Sequence, residues 1–241
     1  MNAFALKIIA VATMLIDHVG VVLFPRDLIF RVIGRISFPL FVYLIAEGFR
    51  HTRSKEKFLL RLLIFALISE PLYMMAFESV SFFGLAFWEL SFSTNNIFYT
   101  LFLGGLAILC WDMIHMFMHS FLARCVTFIA VASGILVLAN YLSADYGLYG
   151  VIFIFIMYVV KPFWLRMMLM GVLCLWQFNW IISSIFRNYS VSTMHLLMIP
   201  VGLLPVLLVL CYNGKKGWGW KWFFYVFYPA HLAVLVLLKR F

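Results

Sequence analysis

The chain has 241 residues, 66% of them hydrophobic and only 11% charged, with a formal net charge of +9. This composition excludes a soluble domain on a single anchor, because no stretch lacking an apolar span is long enough to build its own core. It also argues against a nucleic-acid partner, since the basic residues are dispersed among loop ends, where the positive-inside pattern of a membrane protein puts them.

In chain order, nine apolar segments are expected to form membrane helices: residues 4–24, 28–49, 58–76, 96–112, 121–141, 147–160, 163–182, 192–212 and 222–238. The sixth is short. The runs are continuous and apolar all round, without the alternation of barrel strands, so the fold expected is all-α, a polytopic transmembrane helix bundle forming one domain over 1–241. The first segment is too long for a removed signal peptide and lacks a small-residue cleavage site, so it is read as a retained helix. The loop carrying Arg50, Arg53, Lys55, Lys57 and Arg61 against Glu56 is expected on the cytoplasmic side. Lys215, Lys216 and Lys221 return to that side after six further crossings. The N-terminus is then inside and the C-terminus outside, with Lys239 and Arg240 arguing mildly against the latter.

Polar residues interrupt these segments at particular depths. Asp17 and His18 lie in the first, with His18 roughly 16 Å along the helix from Lys7 and 12 Å from Arg26. An ionisable pair held at membrane depth marks a functional site by default. Arg35, in the run Arg31-Val32-Ile33-Gly34-Arg35, enters the outer half of the second segment. Asn95 and Asn96 open the fourth, Asp145, Tyr146 and Gly147 open the sixth, and His231 interrupts the last at about the level of His18. Asp17 shares a helix face with Thr13 and Gly20, while His18 is turned about 100° away. Asp17 is therefore expected to orient His231 as a carboxylate orients a catalytic imidazole, leaving His18 to meet substrate.

Structural roles account for the same residues equally directly. Helix pairing explains Asp17 with His18, neutralisation of Asp17 explains Arg35, and helix capping explains Asn96 and Tyr146. Glu47 and Glu70 are expected to satisfy basic loop residues. Cys110, Cys125, Cys174 and Cys211 lie in or at the ends of apolar segments, without metal-ligand spacing, and read as packing residues; no metal is expected.

Five short motifs carry a resemblance: Met14-Leu15-Ile16-Asp17-His18, Gly34-Arg35-Ile36-Ser37-Phe38-Pro39-Leu40-Phe41, Asn96-Ile97-Phe98, Tyr146-Gly147 with Tyr149-Gly150, and Tyr228-Pro229-Ala230-His231-Leu232. In this order they resemble the TraX family, named for the membrane protein that N-acetylates conjugative pilin subunits, and a distant branch of the membrane acyltransferase superfamily. The resemblance implies a multi-pass protein of the inner (cytoplasmic) membrane that transfers acetyl from acetyl-CoA, with Asp17, His18, Arg35 and His231 as its catalytic residues. The implied acceptor is a pilin-like peptide, with an envelope glycan or lipid hydroxyl as the runner-up. The chain lacks the polar N-terminal extension of the pilin-acetylating member.

Acetyl transfer needs a base for the acceptor proton and a donor for the developing oxyanion. His18 is the expected base, and Arg35 or Asn96 would hold the oxyanion or a phosphate of the donor. Asn96, Tyr146, Arg50 and Arg53 are the expected contacts to acetyl-CoA, the two arginines attracting its nucleotide phosphates. Two rival functions use the same residues: a solute or proton-coupled transporter, faintly suggested by Gly34 and Pro39, and a non-catalytic factor that holds a pilin or another membrane peptide.

Overall fold

A computed structural model describes residues 1–78, 96–142, 144–187 and 189–239. Asn95, the rest of 79–95 and Arg240 lie outside the described residues. The described residues are helical, without strands: α1 (Ala3–Leu23), α2 (Leu28–Gly34), α3 (Ser37–His51), α4 (Lys55–Tyr73) continued by a π-turn (Met74–Glu78), α5 (Ile97–Phe117), α6 (Phe121–Tyr141), α7 (Gly147–Val159), α8 (Phe163–Trp176), α9 (Asn179–Phe186), α10 (Thr193–Leu210) and α11 (Lys221–Lys239). Among them are seven spans long and apolar enough to cross a membrane, eight if α8 and α9, bent by 63°, count as one. This is the expected multi-pass helical bundle. α7, with 13 residues, is the short sixth segment.

Two expected single helices are broken, each for a local reason. The 28–49 segment divides at Arg35 and Ile36 because Pro39, in the first turn of α3, has no N–H to give the Arg35 carbonyl and its ring crowds that group. The backbone closes the break with short-range bonds, Arg35 N–H to Val32 O (3.3 Å) and Ile36 N–H to Ile33 O (3.2 Å). The 163–182 segment divides at Gln177 and Phe178. Phe178 turns its ring onto Gly202 of α10, where a Cβ would stand 2.3 Å from the ring, and joins the buried cluster Val32, Ile181 and Met198.

The chain forms two compact units. The first holds 1–44, 160–227 and 234–241. Within it α1 packs on α2, α2 on α10 and α10 on α8. Two glycines permit the α1 and α2 backbones to close: a Cβ on Gly20 would lie 2.1 Å from Phe30 Cβ, and one on Gly34 would lie 2.2 Å from Asp17 Oδ1. At its other end α1 is tied to the 213–217 segment, with Ala3 N–H donating to Lys215 O (2.8 Å) and Phe4 N–H to Lys216 O (3.2 Å).

The second unit holds 45–159 and 228–233. α5 is its centre, packed by α4, α6 and α7. Gly104 admits Ile154 of α7 and Gly105 admits Phe49 and Leu59, each against a position where a Cβ would fall within 3 Å. α6 is covered least: Phe121, Leu122, Val126, Ile129 and Val137 stand exposed, an apolar face that suits acyl chains and would be costly in water.

Candidate functional site

α1 delivers Asp17 to the face that meets α2, and the partner waiting there is Arg31. Its Nη1 donates to Asp17 Oδ2 at 2.8 Å. Arg35 is the partner expected for Asp17 from the sequence; Arg31, one turn earlier, makes the bond. One helical turn separates the two arginines, so both carry charge to one side of α2. Arg35 stands within electrostatic reach of the same carboxylate. Asp17 Oδ1 and Arg35 Nε are buried and meet no hydrogen-bond partner among the described residues. The first unit thus assembles two guanidiniums about one carboxylate, with His18, half-buried, next along α1. Thr13 is not part of this pair: its hydroxyl donates back to the Ile9 carbonyl at 2.8 Å.

In the second unit, Asn96 is wholly buried. Its Oδ1 accepts the Phe98 N–H at 3.0 Å, so it caps α5, while its Nδ2 donates to the Ala66 carbonyl at 3.0 Å and to Glu70 Oε2. Glu70 was expected to serve the basic loop. It is instead 2% exposed and bonded to this amide, because a carboxylate taken to that depth needs a donor at the same level. Glu47 does serve the basic segment, accepting from Arg50 Nη1 at 3.1 Å.

His231 is buried beside Tyr228, ring centroids 5.2 Å apart and edge to face, and Tyr228 packs in the same way on Phe98 at 4.9 Å. The Tyr228 hydroxyl hydrogen-bonds the Ile97 backbone at the start of α5. Tyr146 gives its backbone N–H to Thr100 Oγ1 at 3.4 Å, setting the start of α7 against the first turn of α5. Gly147 follows with φ of +44°, a conformation that favours glycine.

Of the two basic-loop residues expected to meet acetyl-CoA, Arg53 is exposed. Arg50 has its guanidinium engaged: besides Glu47, its Nη2 donates to the Met157 and Tyr158 carbonyls, closing the C-terminal end of α7. A triad of Lys55, Asp112 and Tyr158 stands there too. Lys55 Nζ donates to Asp112 Oδ2 and to the Tyr158 hydroxyl at 2.9 Å, and Tyr158 donates to Asp112 Oδ2 at 2.8 Å. The available signal was Asp112, an acid in a helix otherwise free of them.

Two predictions follow from these bonds. Asn96→Ala removes a cap and two further bonds to buried acceptors, and is expected to cost about 2–4 kcal/mol in reversible unfolding from bicelles. Lys55→Met leaves Asp112 without its cation. As Lys55 and Asp112 keep 25% and 28% exposure, the expected cost is about 1–2 kcal/mol, below the roughly 3–5 of a fully buried pair. Restoring charge with Lys55→Arg should recover part of it in the same assay.

The sequence model of the family described as TraX protein matches residues 3–239. A protein of Dichelobacter nodosus described as "Probable fimbrial assembly protein FimC, serogroup H1" is 33% identical over 256 aligned positions, covering 100% of this chain and 96% of the relative. An uncharacterised protein of Rickettsia prowazekii (strain Madrid E) is 31% identical over 99, covering 41% of this chain and 33% of the relative. No solved structure matches the chain significantly.

Proposed function

Since the chain belongs to the TraX family, we propose that it is an integral-membrane acetyltransferase, taking acetyl from acetyl-CoA and passing it to an amine or hydroxyl acceptor, with the N-terminus of a pilin-like peptide as the first candidate. The observation that carries this reading is the group on α1 and α2: a carboxylate and an imidazole adjacent in sequence at membrane depth, with two guanidiniums against the carboxylate. The acceptor nitrogen would attack the thioester carbonyl while His18 removes its proton. The tetrahedral intermediate then expels CoA thiolate, which leaves with that proton as the amide forms. A neutral imidazole has the ring-nitrogen lone pair that this step needs. The Asp17–Arg31 pair fixes the helix face from which His18 projects. Arg35 supplies the positive charge on which an anionic group is held.

The proposed setting is the cytoplasmic membrane, where acetyl-CoA is available on one side and the exposed Arg53 would meet its phosphates. A non-catalytic assembly role is the second reading, supported by the description of the Dichelobacter relative as a fimbrial assembly protein. The test is incubation of the purified protein in lipid with labelled acetyl-CoA, with and without native membrane extract. Extract-dependent release of free CoA, with label on an extracted species, is the result expected of the transferase. Capture of a membrane peptide with no CoA release at any acceptor concentration would overturn it in favour of assembly.

A further inference from the structure

The two arginines of α2 also border a cleft of about 220 Å³ that the acetyl-transfer reading does not use. Its polar wall is completed by Gln177, at the break between α8 and α9, by Trp180 in the first turn of α9 and by His195 in the first turn of α10. Its apolar wall is Leu28, Phe178 and Met198. All belong to the first unit.

The chemistry of these walls is that of an anion site. Arg31 spends Nη1 on Asp17 and keeps 38% of its side chain exposed, so its remaining N–H groups stay available. Arg35 Nε is buried and meets no partner among the described residues. Among the described residues, Asp17 is the carboxylate that pairs with these two guanidiniums, which leaves one of their positive charges uncovered. The Ser192 hydroxyl lies 2.8 Å from His195 Nδ1 and accepts the His195 backbone N–H at 3.4 Å, which holds the ring by its Nδ1 edge. Trp180 stands edge-on to that ring at 5.3 Å.

Size and charge select the ligand. A volume of about 220 Å³ falls below the roughly 300–1,000 Å³ of sites for drug-sized molecules, so a nucleotide is too large and one residue-sized group fits. One uncovered charge suits a monoanion. α1 begins against Lys215 and Lys216, whereas the cleft lies where α2 and α10 begin, at the other end of the unit. By the positive-inside rule that end faces away from the cytoplasm.

We propose that this cleft binds the carboxylate of an acceptor molecule arriving from the non-cytoplasmic side, seated on Arg31 and Arg35 with its apolar stem against Leu28, Phe178 and Met198. Asp17 is the internal precedent, a carboxylate already held by the same arginine. The site adds to the acetyl-transfer reading, and binding is read without acetyl-CoA, so failure of one does not imitate failure of the other.

The test uses the full chain in neutral-lipid nanodiscs, titrated with 4-methylpentanoate, 4-methylpentanamide and dibutyl phosphate, and reads the tryptophan emission that Trp180→Phe removes. The carboxylate is expected to bind saturably and about tenfold tighter than the amide. Arg35→Gln should abolish that preference, and Gln177→Ala should weaken carboxylate binding by about threefold with an unchanged melting temperature. Should Arg35→Gln fail to fold, Gln177→Ala and His195→Ala carry the test. Equal binding of carboxylate and amide, no saturable binding, or binding untouched by the folded variants would overturn the proposal. Tighter binding of dibutyl phosphate would also overturn it, assigning the cleft to a lipid phosphodiester.

Discussion

His18→Ala, reconstituted in lipid with acetyl-CoA and the acceptor extract, is expected to lose about 10²- to 10⁴-fold in the rate of CoA release, the range over which positioned general bases act. His18 is half-buried, and the contacts that hold α1 to α2 come from Asp17 and Gly20. The melting temperature is read beside the rate, and a variant within about 2 °C of the parent, the shift that less than 1 kcal/mol produces in a chain of this size, counts as folded. The loss is then a chemical one. Imidazole added to the medium should restore part of the rate if the missing group is a base. A folded variant retaining half or more of the parent rate removes His18 from the mechanism.

Gly34→Val should have the largest effect on the fold itself. A Cβ at this position would stand 2.2 Å from Asp17 Oδ1 and 2.4 Å from Asp17 Cβ and Cγ. No rotamer change of Asp17 moves its Cβ, so α2 must retreat from α1. Retreat breaks the 2.8 Å Arg31–Asp17 bond and opens the buried seam, at a cost of about 3 kcal/mol or more. The expected readout is a melting temperature lowered by roughly 6–12 °C, or failure to recover folded protein from the membrane. Gly134→Val is the matched control. Nothing lies within 4 Å of a Cβ there, so its melting temperature should not change measurably. Equal behaviour of the two would show that the α1–α2 contact is looser than described.

The spans were legible because long apolar runs signal their own burial in lipid. Seven of the nine expected segments are long enough to cross a membrane, 28–49 as the α2–α3 pair, and the seventh, 163–182, occupies the bent pair. What was illegible is which polar residues inside a run mark a break in the helix and which are carried through it. Phe178 breaks its helix because Gly202, 24 positions later, offers a slot for its ring. Local propensity holds no record of that slot. For the candidate site, Asp17 and His18 were conspicuous as charges at depth, but pairing was not. Arg31 and Arg35 lie on one face, one turn apart, and only the approach permitted by Gly34 decides which of them reaches Asp17. Glu70 was misjudged for a related reason: its position near a helix end suggested solvent, whereas Asn96, from a distant element, encloses it.

The shortness of α7 has a mechanical consequence for the bilayer. Its 13 residues rise about 20 Å, some 10 Å less than an average hydrocarbon core. Its first turn is level with that of α5 through Thr100, and its end is level with Asp112 through Tyr158, five residues short of the end of α5 at Phe117, or about 7 Å. Arg50, Lys55, Asp112 and Tyr158 are therefore recessed from the end of α5. Lipid beside them must thin, or water must fill the notch. Either way, a charged cargo approaching along α7 would cross roughly two-thirds of the usual oily thickness.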